Sequence, residues 1–490
     1  MLRRQTPEEK QVTLVTSLAA GCRDGDTTGH SGAYALSRRE LSIWAWIGVG
    51  ALAIAGLFAI LLAASRLPGA ERIAHWPFGF FGKALVIHVI FSLVIWLLAM
   101  FAMLASSATA SMAEGSARAA SFGPIGQGLV ALSFPLLFSP AFAESSTSEL
   151  TNYIPLIKHP AYDAGLILLA LGVLMPVVRM LLNVVRPRQA LSSGEFAIAA
   201  AGFIYVVALV CFAVAAVQLH RANLMDIARE YLFWGGGHLL QFVYVAMLIF
   251  IWSTFGRAIF GEKAACGGVA RIGAAILAVA ALTGPVFFLV FDAFSVPLHE
   301  AFRLLQFTLA IPALLMATRL VAVALAYLSL SRWPWRQPEF VTLAISLALF
   351  GVGGMMGILI SGSDTRTPAH YHAMVTAVSV ACMGFMLTRG FEMIGRRAIS
   401  DAMIRFIVLC YGGGQLFASV GLYLAGGYGA QRKTTVAAAP LLDGAVVGMY
   451  LHGIGALFAV IGGALFVVVA IRALWRADDS VRRNLAASRS

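Results

Sequence analysis

The feature that most constrains this chain is its succession of apolar runs about 20 residues long, the length at which one helix crosses a bilayer. They fall at roughly 43–65, 83–107, 125–143, 163–184, 194–219, 234–256, 268–293, 300–329, 339–362, 370–390, 402–426 and 443–473. The third is the shortest and carries Pro135 and Pro140. It ends in a signal-like Ala141-Phe142-Ala143-Glu144, but its place after two strong spans makes it a membrane helix and not a cleavage site. With 60% hydrophobic and only 12% charged residues, the chain reads as an all-α polytopic membrane protein embedded in a lipid bilayer. Residues 1–42 form a polar, cytoplasmic N-terminal extension, 43–473 the twelve-helix membrane domain, and 474–490 a basic cytoplasmic tail. No internal repeat is visible, so the inverted-repeat signature of many transporters is missing.

A net charge of +12 can signal nucleic-acid binding, but the placing of the basic residues gives a membrane explanation instead. With twelve spans, both termini and the loops after even-numbered spans share one side. Most of the 35 Lys and Arg lie there, among them Arg186, Arg257, Arg336, Arg389 and Arg405. That side is therefore cytoplasmic, which fits a bacterial inner membrane, and no nucleic-acid partner is expected. The five cysteines, Cys22, Cys211, Cys266, Cys382 and Cys410, have neither disulfide nor metal-ligand spacing. Cys22 and His30 are too loosely spaced for covalent haem attachment, which needs C-x-x-C-H.

The chemistry concentrates in histidines. Ala369-His370-Tyr371-His372 opens the tenth span, and residues two apart on a helix point ~200° apart. Two imidazoles on opposite faces suit two prosthetic groups, one on each side of a shared helix; the alternative is a pair of interfacial histidines. His88 lies near the outer end of span 2, His238 near that of span 6, and His299 in the outer loop between spans 7 and 8. Five histidines from four regions thus share one level of the membrane, where ionisable groups are costly and mark function. His75, His159, His220 and His452 read as interfacial or packing residues.

In the order, side and spacing of these motifs, the chain resembles the catalytic subunit (subunit I) of the haem-copper oxidase superfamily, which includes oxygen reductases and nitric oxide reductases. Ala369-His370-Tyr371-His372 resembles the family's A-H-F-H. Trp234-Gly-Gly-Gly-His238 resembles its aromatic-Gly-His at the first ligand of a non-haem metal, and His299 falls where the family carries His-His. The resemblance implies two haems. His88 and His372 would hold a low-spin haem that only passes electrons, and His370 a high-spin haem open to a gas. His238 and His299 would hold a non-haem metal, Fe or Cu. Arg366, Arg432 and Lys433 would neutralise haem propionates, and Asp364 would add a supporting hydrogen bond.

Two departures bear on the substrate. The second histidine of His-His is replaced by Glu300, either a metal ligand or active-site acid, or a partner for Arg303 at i+3. Oxygen-reducing members carry a tyrosine near the first metal ligand, in many cases four residues on, where this chain has Phe242. Gln241 shares a face with His238, and Tyr244 at i+6 points away. Both departures lean towards reduction of two NO to N₂O, with protons taken from the outer side and no pumping. Oxygen reduction by a cytochrome c or quinol oxidase is the alternative, and a haem-binding transporter is the alternative of another class. Electrons would come from a cytochrome c-type or copper-bearing subunit, or from quinol.

Overall fold

The computed structural model describes residues 27–65, 80–113, 117–151, 155–187, 190–225, 227–264, 266–327, 333–360, 364–396, 399–433 and 442–475. Residues 1–26, His75 and 476–490, parts of the expected terminal segments and one expected packing histidine, lie outside them. Among the described residues there are twelve helices long and apolar enough to span a membrane. They are α1 (Ser37–Ala64), α2 (Phe81–Ala113), α3 (Phe122–Phe142), α4 (Pro160–Val184), α5 (Ser193–Arg221), α6 (Arg229–Phe260), α7 (Cys266–Val290), α8 (Val296–Ala326), α9 (Pro338–Ile358), α10 (Arg366–Met393), α11 (Asp401–Gly427) and α12 (Asp443–Trp475). The helix that contains α1 begins at Thr27, so residues 27–42 of the expected extension are helical.

Consecutive helices pack as antiparallel neighbours: α3 on α4, α5 on α6, α9 on α10 and α11 on α12, while α12 packs back on α1. Three helices form the interior. The most apolar windows of α2, α6 and α10 are 67, 78 and 83% buried, and these are the helices that carry His88, His238, His370 and His372. Hydroxyls within the spans can find acceptors on their own helix in a medium without water. Thr109 Oγ1 donates to the Ala105 carbonyl at 2.8 Å and Thr254 Oγ1 to Phe250 at 2.9 Å, each one turn back.

Helix α11 meets α12 along a glycine seam. A Cβ on Gly414 would lie 2.4 Å from the Ala459 nitrogen, and one on Gly448 2.5 Å from the Ala425 nitrogen, so only glycine permits this backbone approach. Arg179 on α4, 4% exposed, ties α4 to α1 and α2. Its guanidinium binds both carboxylate oxygens of Glu40 and donates to Ser106 on α2 at 3.1 Å. Between α3 and α4 a short antiparallel hairpin, β1 (Thr147–Leu150) with β2 (Pro155–Lys158), lies against the start of α2.

Several helices start about a turn before the apolar run does. Helix α8 begins at Val296 because Ser295 caps it, its hydroxyl accepting from the Leu298 N–H at 3.3 Å, and Pro297 suits the first turn. His299 is therefore on the first turn of α8, not in the loop where the apolar pattern puts it.

Candidate functional site

The even-numbered helices begin on one face of the bundle, and there His88, His370 and His372 line one cavity of about 1400 Å³. That exceeds the few hundred to about 1000 Å³ that one drug-sized ligand occupies. Each imidazole is held by a different helix. His88 Nδ1 is 3.0 Å from the Ala55 carbonyl on α1. His370 Nδ1 is 2.7 Å from the Gly353 carbonyl on α9, and His372 Nδ1 is 3.3 Å from Gln415 Oε1 on α11. The i, i+2 spacing on α10 thus sends two rings to two different neighbours. A carbonyl oxygen only accepts, so in the neutral ring the nitrogen facing it carries the proton and Nε2 is the lone-pair nitrogen. That is the tautomer an axial iron ligand needs, oriented from behind by a fixed acceptor.

His238 and His299 come together elsewhere. Gly235 and Gly236 let α6 approach its neighbours, since added Cβ atoms would lie 2.8 Å from the Phe302 ring and 2.5 Å from that of Phe212. The indole of Trp234 then lies against both imidazoles, with centroids 4.7 Å from His238 and 5.0 Å from His299, and donates to the His299 carbonyl at 3.1 Å. Both rings again place Nδ1 on the carbonyl one turn back, Trp234 for His238 and Ser295 for His299. Neither ring lines the large cavity, whereas Gly237 and Gln241 beside them do. Gln306 on α8 donates from Nε2 to the His238 carbonyl at 3.3 Å.

Glu300 is turned into a pair with Arg303, accepting from Nε at 2.7 Å and Nη2 at 2.6 Å, and is 47% exposed. Of the two roles the spacing allowed, the geometry shows the ion pair. The expected carboxylate binders also separate. Arg366 folds back on Asp364, with Nη2 2.6 Å from Oδ2 and the backbone N–H 2.8 Å from Oδ1, and it does not line the cavity. Asp364 therefore serves Arg366, not a histidine. Arg432 and Lys433 do line the cavity. Their loop is fastened to the start of α10 by the Asp364–Gln431 bridge and by the Thr365 N–H on the Ala430 carbonyl at 2.9 Å. Lys433 stands in the left-handed region at φ 58°, and its Nζ is buried with no hydrogen-bond partner among the described residues. Burial, with Arg432 beside it and Glu230 opposing, pushes its ammonium down to about 8.

Three further residues line the cavity. Arg229 precedes the apolar run of α6 and passes for loop charge in the sequence. Tyr244 shares the cavity although it is turned from His238, because so much of α6 is enclosed that more than one of its faces borders the space. His452, expected to pack, is buried with Nδ1 3.3 Å from the Ala418 carbonyl; its position within the stretch of α12 free of charged residues between Asp443 and Arg472 is the signal that was available. His159 instead caps α4, accepting from the Ala161 N–H at 3.2 Å.

Residues 41–458 match the family model for cytochrome c and quinol oxidase polypeptide I. An uncharacterized protein, RP382, of Rickettsia prowazekii (strain Madrid E) is 24% identical over 491 residues, 87% of this chain and 94% of that one. An uncharacterized protein of Aquifex aeolicus (strain VF5) is 25% identical over 378 residues, 75% of this chain and 90% of that one. The fold is similar to that of a heme-copper terminal oxidase dimer, with a TM-score of 0.72 at 15% identity, covering 91% of this chain and 85% of that one. The chain belongs to the cytochrome c and quinol oxidase polypeptide I family. It is an integral membrane oxidoreductase of the haem-copper superfamily.

Membership implies haems and a binuclear metal site, and the residues can be tested against each. The haems fit. His88, His370 and His372 border a cavity large enough for more than one ligand, each with Nδ1 turned to an acceptor, and the buried Lys433 ammonium at its rim has no hydrogen-bond partner among the described residues. The second metal fits less well. Among the described residues no group of three or more His, Cys, Asp or Glu converges on one point, so His238 and His299 supply two donors where a closed site uses more.

Proposed function

We propose that this chain is the catalytic subunit of a respiratory terminal reductase in a bacterial inner membrane, with both termini cytoplasmic, and that the gas it reduces is NO, two molecules giving N₂O. The observation that carries the reading is the convergence of His88, His370 and His372 on one cavity with every Nδ1 committed to an acceptor. His88 and His372 come from two helices, as a bis-imidazole haem needs, and such a haem passes electrons without binding gas. His370 faces away towards α9 and would hold a second haem with one open position. Haem iron supplies electron transfer in the first setting and gas binding in the second.

The chain's own residues set the conditions around that chemistry. Arg432 and Lys433 supply positive charge at the cavity rim, matching the acidic side chains of a haem. Gln241 borders the cavity one turn after His238 and offers a hydrogen-bond donor to a bound gas. Phe242 stands where many oxygen-reducing members carry a tyrosine. His238 and His299 are the donors available to a non-haem metal, and no step above depends on it. The electron donor is a cytochrome c-type or copper-bearing subunit, or quinol, and protons enter from the outer side.

A second reading, oxygen reduction, is favoured by Tyr244, whose ring borders the same cavity. Turnover by the purified protein separates the two. The proposal expects N₂O from NO and an indifference to O₂, whereas O₂ consumption that Tyr244→Phe abolishes would replace it.

A further inference from the structure

Arg229 is the most buried cation at the cavity rim. It is 8% exposed, it opens α6, and its Nη2 binds the Asp163 carboxylate at the start of α4. Its other terminal nitrogen, Nη1, is fully buried with no hydrogen-bond partner among the described residues. A guanidinium donor shut away from water without an acceptor is costly, and a chain retains one where something else supplies the acceptor. Arg229 and Asp163 both line the cavity that His88, His370 and His372 share, and Lys433 Nζ lining it is a second buried donor without a hydrogen-bond partner among the described residues. Glu230, next to Arg229, acts electrostatically on Lys433, so the start of α6 and the loop after α11 meet at one corner. That corner offers two fixed donors to a ligand with acidic oxygens.

We propose that Arg229 is a carboxylate clamp for a haem in this cavity, Nη1 donating to a propionate while Nη2 remains on Asp163. The guanidinium fork is suited to this division, holding one carboxylate from the protein and one from the ligand in a single plane. Asp163 sets the angle of the fork, which makes it a positioning residue. The inference rests on the reading that the chain binds haem.

The test measures haem loss from the purified holoprotein to excess apo-myoglobin, with the midpoint potential of each haem as a second readout. Arg229→Gln should lose haem about tenfold faster, the scale of one charge-assisted hydrogen bond, and lower one midpoint potential because a propionate charge goes uncompensated. Arg229→Lys should recover part of both. Asp163→Asn keeps an acceptor oxygen for Nη2 but weakens its hold on the fork, so it should fold and lose haem faster than the parent but by less than Arg229→Gln, and adding it to Arg229→Gln should restore nothing. If Arg229 serves only to neutralise Asp163, the double variant regains parental haem retention and the inference is overturned. Unchanged retention and potentials in Arg229→Gln also overturn it. Should Arg229→Gln fail to fold, Asp163→Asn still decides, since a purely structural pair predicts the same failure there. A parent protein without haem would instead sink the functional reading itself.

Discussion

Gly357 on α9 presents a bare α-carbon to the imidazole of His370: a Cβ there would lie 2.7 Å from both Cε1 and Nδ1 of the ring. The Gly353 carbonyl one turn earlier holds the same Nδ1 at 2.7 Å. A single face of α9 therefore fixes both the position and the tautomer of His370. Gly357→Ala is expected to displace the ring and weaken metal binding there by roughly 10–100-fold, the usual effect of losing a supporting contact behind a ligand. The control is Gly351→Ala on the same helix, where a Cβ meets nothing within 4 Å. Absorption spectra with carbon monoxide should show the gas-binding haem lost in the first variant and kept in the second.

Gln415 offers an acceptor to His372 at 3.3 Å. An imidazole whose Nδ1–H is held by an acceptor is a more basic ligand and favours ferric iron. Gln415→Leu should therefore keep the low-spin haem but raise its midpoint potential, which redox titration followed in the visible spectrum will report.

Lys433 gives a pH dependence whose sign can be worked out. Its ammonium, ordinarily near 10.5, is lowered to about 8, so the charge is present below that value and is lost as pH rises through it. A carboxylate bound beside it stabilises the charged form and moves the titration upward from about 8. The potential of the neighbouring haem should fall with rising pH across this range, and Lys433→Met should flatten the dependence.

Much of the arrangement is legible in the sequence because hydrophobic length and histidine placement are local signals. All twelve spans and the separate directions of His370 and His372 follow from run length and helical angle. What was not legible depends on helix ends and on side-chain reach. The apolar pattern starts α6 at 234 and α8 at 300, while the helices begin at Arg229 and Val296. That difference hides Arg229 and moves His299 onto a helix, although Ser295 and Pro297 are ordinary start signals. Arg366 reads as a propionate partner by position, but Asp364 two residues earlier captures it at short range. Tyr244 shows the limit of helical-wheel reasoning in a helix buried on nearly all sides.

Glu300 separates a metal ligand from a surface ion pair. It binds Arg303 and is half-exposed, so Glu300→Gln should leave non-haem metal content unchanged by elemental analysis. His238→Ala should lower it while both haems remain.

The pair of haems is the centre of this account, and the spectrum of the purified, reduced protein tests it most directly, before and after carbon monoxide. The account predicts one six-coordinate low-spin haem that ignores the gas and disappears in His372→Ala, and one high-spin haem that binds the gas and disappears in His370→Ala. Absence of haem absorbance, or loss of the same haem from both variants, would contradict it.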